Sequence, residues 1–337
     1  YFRGNAKQLA EDGYFTDFIS NGVSTELCFM AFCAFTLIII FAGVQNGIER
    51  VSKIMMPILI VLSVIIAVYS VTRPGALAGV KYFLVPNVKN FSWMTVVSAM
   101  GQMFYSLSIA MGILITFGSY MKKDTAIEDS TRNVEVFDTG IAIMAGLMII
   151  PAVFAFSGGD PNTLQAGPSL MFITIPKVFQ NMGFGTVIGI VFFLLVLFAA
   201  VTSSIALTES AVSTFEDELG WGRKKATVLV GVIMLALGSL SSLGYGPLAG
   251  IKIIGMQFLD LFDFLTNSVM MPIAALLTSL LVSRVVGIDK IEDEIIHGES
   301  AFRRKKVFVV MIKYLCPVFA IIILLSSVAN ALGWIKM

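Results

Sequence analysis

Gly101-Gln102-Met103-Phe104-Tyr105-Ser106-Leu107-Ser108-Ile109-Ala110-Met111-Gly112 is the stretch that decides how this chain is read. Two glycines, one amide and three hydroxyls stand in the middle of an apolar run, Trp93 to Tyr120, that is long enough to cross a bilayer. Polar groups at that depth need a neighbouring helix, water, an ion or a substrate to bond to, because hydrocarbon offers no partner. Two readings follow. Either the helix unwinds around a ligand at the midplane, or its small residues bring two helices into close contact.

Composition supports a membrane setting. Hydrophobic residues make up 57% and charged residues 13% of the chain, and mean hydropathy is +0.89; soluble domains carry about twice that share of charge. Eight apolar runs are expected to span: 25–44, 54–71, 92–119, 135–157, 186–213, 226–250, 259–283 and 308–332. Roughly 20 helical residues cross the ~30 Å hydrocarbon layer. The runs are continuous rather than alternating, which favours helices over barrel strands. The expected fold class is therefore an all-α membrane protein with eight transmembrane helices.

Charge limits the partners. The net charge is +1, and no basic, aromatic-interleaved stripe is present to follow a phosphate backbone, so no nucleic acid is expected. Cys28, Cys33 and Cys316 form no CxxC pair and His297 has no ligand neighbours at metal spacing, so neither a disulfide framework nor a zinc-type site is expected. No organic cofactor and no enzymatic constellation are expected either. If loops alternate between two sides, 45–53, 120–134, 214–225 and 284–307 hold fourteen Lys and Arg against eight on the other side. The positive-inside rule then assigns the richer set to the cytoplasm and Tyr1 to the exterior. The chain opens without an initiator Met or signal-like segment, and its start reads as internal, with upstream spans missing.

Four further places carry candidate chemistry. Asp138 opens an apolar run to Phe156; it is either an interfacial acid reaching water or a buried carboxylate with a bound cation as partner. Phe198 to Glu209 sets Thr202 and Ser203 deep in an apolar helix. Hard oxygen donors of this kind suit an alkali ion, or they bond back to their own helix. Asp260 and Asp263 share a helical face and are either vestibule acids or hydrated headgroup-level residues. Ser157 to Phe184 is either a structured external lid or a plain long loop.

Taken in order, several motifs resemble the bacterial branch of the neurotransmitter:sodium symporter family. These are Gly47-Ile48-Glu49-Arg50, Lys53-Ile54-Met55-Met56-Pro57, Pro74-Gly75-Ala76, Gly101-Gln102 through Ser119-Tyr120, Asp138 to Pro151, Thr202-Ser203-Ser204, Phe215-Glu216-Asp217-Glu218-Leu219 and the Asp263 region. The resemblance covers nearly the whole chain. It implies the leucine-transporter fold of two inverted five-helix repeats, with the eight spans as helices four to eleven and the first three absent upstream. On that scheme 1–337 is one partial transporter domain: 1–24 extracellular, 25–71 the last two helices of the first repeat, 92–283 the second repeat, and 308–332 an additional helix.

The resemblance also implies roles. Tyr105, Ser106, Ser108, Met111, Ser204 and Leu207 would line an amino-acid substrate. Ser106 and Asp138 would belong to a first sodium site, and the Ala199 carbonyl, Thr202 and Ser203 to a second. Asp263 would gate the outside, and Asp217 with Tyr120 the inside. Ala142 stands where chloride-dependent relatives place a hydroxyl, so chloride is not expected, and Ala110 replaces a common glycine. The implied function is sodium-coupled symport of an amino acid by alternating access across the bacterial inner membrane. The alternatives are a proton-coupled carrier or a non-transporting sensor of the same fold.

Overall fold

Helices carry this chain, as expected where a backbone must satisfy its own hydrogen bonds in lipid. The structure, a computed structural model, describes residues 6–11, 13–160, 167–181, 183–299, 301–332 and 334. Among these, β pairing is limited to one isolated bridge between Ile253 and Met256. The main helices are α1 (Gly22–Phe41), α2 (Val44–Val71), α3 (Ala76–Leu84), α4 (Trp93–Ser106), α5 (Ile113–Ser119) and α6 (Ile127–Ser157). They continue with α7 (Leu170–Gln180), α8 (Gly185–Leu219), α9 (Arg223–Leu243), α10 (Phe258–Val286), α11 (Ile288–Gly298) and α12 (Lys305–Ala331).

Seven of the described helices are long and apolar enough to cross a membrane, not the expected eight. The difference lies in the third expected span, 92–119, which is divided into the 14 residues of α4 and the 7 of α5. Neither piece alone reaches the roughly 20 residues of a spanning helix. Helix ends also differ from the hydropathy estimates. α6 begins at Ile127, because helical bonding does not stop where the apolar run meets water. α9 ends at Leu243 rather than 250, where Gly244, Gly246 and Pro247 turn the chain. Of the expected external segments, residues 1–5, 12, 161–166 and 182 lie outside the described residues; the described part of 157–184 contains α7.

Proline shapes three of the helices. Wide π-type turns at Leu170–Thr174, Phe264–Met270 and Met311–Leu315 each end just before a helical Pro: Pro176, Pro272 and Pro317. A proline lacks the N–H of the regular ladder and pushes away the carbonyl one turn back, so the turn before it widens.

The chain divides into two compact units. The first comprises Tyr1–Val88, Thr139–Thr208 and Leu219–Ile251. Here α1 lies on α9, and small residues set the distance: a Cβ on Gly238 would sit 2.1 Å from the ring of Phe29. Close backbone approach matters because lipid supplies no hydrophobic drive between helices, leaving dispersion and hydrogen bonds. Ile66 of α2, Val153 of α6, Phe179 of α7 and Phe192 of α8 form a second buried cluster. A buried bond from the Ser70 hydroxyl to the Met148 carbonyl (2.7 Å) pins α2 to α6.

The second unit comprises Lys89–Asp138, Glu209–Glu218 and Lys252–Met337. Its α10 and α12 pack along their length around Met271 and Ile323, with Phe104 of α4. At the end assigned to the cytoplasm, Glu299 accepts the first N–H groups of α6, from Glu128 (2.5 Å) and Asp129 (3.3 Å). An anionic cap there answers both the orphan donors and the helix dipole. Arg304 bridges Glu135 at 3.0 Å and Glu128 at 3.8 Å, and these carboxylates, Glu135 first, raise its guanidinium above the ordinary arginine range.

Candidate functional site

The site is built on the divided helix of the second unit. α4 starts sharply because Ser92 and Thr95 form a reciprocal capping box. Twelve residues later the regular ladder gives way to turn bonds: Ser108 N–H to Tyr105 O (3.0 Å), Ile109 N–H to Phe104 O (3.0 Å) and Met111 N–H to Ser108 O (3.4 Å). Ser108 (φ 55°), Ala110 (φ 63°) and Gly112 (φ 78°) all occupy the left-handed region. That conformation costs a non-glycine residue roughly 1–2 kcal/mol, so Ser108 and Ala110 hold it only because their surroundings fix it. At Gly112 a side chain is excluded twice, by φ and by the Ser210 hydroxyl, which would lie 2.6 Å from a Cβ.

Immediately before the break, the Ser106 hydroxyl donates to Asp138 Oδ1 at 2.7 Å across the α4–α6 contact. Both residues are half-buried. Hydrogen bonds to an ionised acceptor are roughly twice as strong as neutral ones, so the pair ties the broken segment to α6. Ser108 and Met111 are half-buried and Tyr105 is exposed. Thr116 Oγ1 meets Ser210 Oγ at 3.4 Å, and the Met111 carbonyl lies 3.5 Å from the same hydroxyl.

Below α5, the Tyr120 hydroxyl donates to Glu209 Oε1 at 2.7 Å, and Glu209 is fully buried. The resemblance groups Tyr120 with Asp217 and gives Glu209 no role. Its signal was visible: a carboxylate at the end of the apolar Phe198–Glu209 run needs a partner as much as Asp138 does. Asp217 is exposed on the last turns of α8. Asp263 is also exposed, and accepts from Asn267 Nδ2 at 2.5 Å, one turn on.

The remaining expected residues belong to the first unit, on α8. Thr202 Oγ1 donates to the Ala199 carbonyl (3.0 Å) and to that of Phe198 (3.1 Å), so the hydroxyl and carbonyl named together from sequence are adjacent in space. Ser203 and Leu207, four residues apart, lie on the exposed face of the helix. Ser204 turns instead toward α1, where its hydroxyl meets the fully buried Thr36 at 3.1 Å. Thus Ser106 and Asp138 meet within one unit, and Thr202 and the Ala199 carbonyl within the other.

Known proteins share this arrangement of helices. In structure the chain is similar to MhsT, solved in complex with L-phenylalanine: TM-score 0.82 and 33% identity over 97% of this chain and 74% of that one. In sequence it is 34% identical to the sodium-dependent transporter YhdH of Bacillus subtilis, over 96% of this chain and 72% of that protein. It is 31% identical to a sodium-dependent transporter of Haemophilus influenzae, over 88% of this chain and just under two thirds, 64%, of that protein. The sequence pattern of the sodium:neurotransmitter symporter family matches residues 1–334. A match of that extent, on a chain whose spanning helix divides beside a hydroxyl–carboxylate pair, shows that this protein belongs to the sodium:neurotransmitter symporter family, a family of sodium-dependent membrane transporters and not of enzymes.

Proposed function

We propose that this protein carries an α-amino acid across the bacterial inner membrane together with Na⁺, by alternating access around a site at the bilayer midplane. The supporting observation is the break at residues 107–112 with Ser106 hydrogen-bonded to Asp138 at its edge. A divided helix frees backbone carbonyls for a cation and lets its two halves tilt separately. The donors available, hydroxyl, carboxylate and carbonyl oxygens, are hard ligands that suit an alkali ion.

In this reading Ser106 and Asp138 belong to one sodium site, and the Ala199 carbonyl, Thr202 and Ser203 to another. Bound Na⁺ would take up lone pairs on oxygens that, among the described residues, accept helix-internal or neighbouring hydroxyl bonds. Tyr105, Ser108, Met111, Ser204 and Leu207 line the substrate, with Asp263 as outer gate and Tyr120 and Asp217 on the inner side. The described crossings correspond to helices four to eleven of the family fold, the divided helix being the sixth. MhsT holds L-phenylalanine, which supports an amino acid as cargo here. Ala142 argues against a chloride requirement.

The test is uptake by the intact protein in proteoliposomes, with a panel of radiolabelled L-amino acids and an inward Na⁺ gradient. Accumulation that collapses when Na⁺ is replaced by K⁺ is the expected result. Uptake unchanged without Na⁺ but driven by a pH gradient would transfer the role to a proton. Binding without accumulation would make the protein a sensor.

A further inference from the structure

α6 begins without a cap of its own. Ala126 stands just before its first residue, Ile127, and the Ala126 carbonyl accepts from Ser130 N–H at 3.1 Å. The side chain of Ala126 is a methyl group, with no oxygen for the N–H groups of Glu128 and Asp129. Alanine is among the poorest residues at a helix start for that reason. The missing acceptor comes from far along the chain: Glu299, 171 positions beyond Glu128, takes both N–H groups on Oε1, at 2.5 and 3.3 Å. These are the donors that an N-cap side chain would satisfy.

Further contacts fasten the α11–α12 connection to the same end of α6. Arg303 N–H donates to Glu128 Oε2 at 2.9 Å and Arg304 Nη1 to Glu135 Oε2 at 3.0 Å. A Cβ on Gly298 would lie 2.4 Å from the Thr125 carbonyl, so the two backbones touch there. The contacts are not equal. Arg304 and Glu135 are about half exposed, and such ion pairs contribute little in water. The Glu128 side chain is 11% exposed, and Glu128 is held through both its backbone N–H and its carboxylate. The connection leads into α12, which packs along α10, so docking anchors α6 to that pair of helices. A cap carried by α6 itself would close the first turn without anchoring it.

What the anchor sets lies further along α6. Asp138 is eleven residues beyond Ile127, with no Gly or Pro between them, roughly 16 Å at 1.5 Å per residue. Sharp bends in a helix need Pro, Gly or a bulge, so this stretch carries the height and rotation of its first turn to Asp138. The Ser106 hydroxyl meets Asp138 at 2.7 Å, and a bond of that length is lost within a shift of about 1 Å. We propose that Glu299 is a positioning residue for the cation site: by capping α6 from the α11–α12 connection, it holds Asp138 in register with Ser106. The proposal rests on the reading of Asp138 as a Na⁺ ligand.

The experiment measures Na⁺-dependent uptake by the whole protein in proteoliposomes, together with the thermal midpoint and amide hydrogen exchange at Glu128 and Asp129. Glu299→Ala is expected to speed that exchange and to raise the Na⁺ concentration for half-maximal uptake about fivefold, the scale of one lost cap. Glu299→Gln, which keeps an oxygen for both N–H groups, should stay within about twofold of the unaltered protein. The deciding variant combines Glu299→Ala with Ala126→Asp, giving α6 a cap of its own. It should recover the midpoint and the exchange protection but not the Na⁺ half-saturation, and it decides the question even if Glu299→Ala alone gives no folded protein. Native Na⁺ half-saturation in either variant would overturn the proposal and leave Glu299 a helix cap alone. Asp138→Asn separates the two readings. If it shifts the Na⁺ dependence and the Glu299 variants do not, only the positioning role fails; if it shifts nothing, the Na⁺ assignment fails and the positioning role falls with it.

Discussion

Removing the Ser106 hydroxyl tests the site at its most specific contact. Ser106→Ala deletes a 2.7 Å donor to Asp138 and changes no backbone group. A hydrogen bond to an ionised partner contributes about 1.5–3 kcal/mol. If the same hydroxyl and carboxylate hold Na⁺, the loss appears as a rise of roughly 10- to 150-fold in the Na⁺ concentration giving half-maximal uptake. The assay is initial-rate uptake in proteoliposomes as external Na⁺ is varied at constant ionic strength. Asp138→Asn and the double variant complete a cycle, and residues in direct contact are expected to couple by 0.5–3 kcal/mol. Unchanged Na⁺ half-saturation in Ser106→Ala, or strictly additive effects, would refute the assignment. A fall in thermal stability alone would leave the pair a helix–helix contact and nothing more.

The other predictions concern the scaffold. Gly112→Ala should lower the thermal midpoint in detergent, since the left-handed φ of 78° adds about 1–2 kcal/mol and the new Cβ meets Ser210; Ser210→Ala in the same chain should restore part of the loss. Tyr120→Phe takes one hydrogen bond from the fully buried Glu209 and should cost about 1.5–3 kcal/mol in denaturant unfolding. Gly79→Val should reduce the yield of folded protein on size-exclusion chromatography, because even a Cβ there lies 2.8 Å from the Pro151 backbone and overpacking costs about 1–3 kcal/mol.

Much of this protein is legible without coordinates. A helical membrane chain follows from long uninterrupted apolar runs, since only helices of that length satisfy their backbone in lipid. For the crossing that holds Gly101, Ser106, Ser108 and Gly112, sequence leaves two readings open, unwinding or close helix contact, and the left-handed backbone at Ser108, Ala110 and Gly112 decides for the break. Asp138 is open in sequence between an interfacial acid reaching water and a buried carboxylate with a partner.

Only tertiary structure decided which partner each polar group takes. Ser106 reaches Asp138 across 32 positions of chain, Tyr120 reaches Glu209 rather than an acid nearer the helix end, and Ser204 turns to Thr36. Periodicity fixes the face of a helix on which a side chain lies, but the helix set against that face depends on contacts between segments far apart in sequence. The left-handed backbone at Ser108 and Ala110 is a further case: neither residue type favours it, and the packing around the break imposes it against local preference.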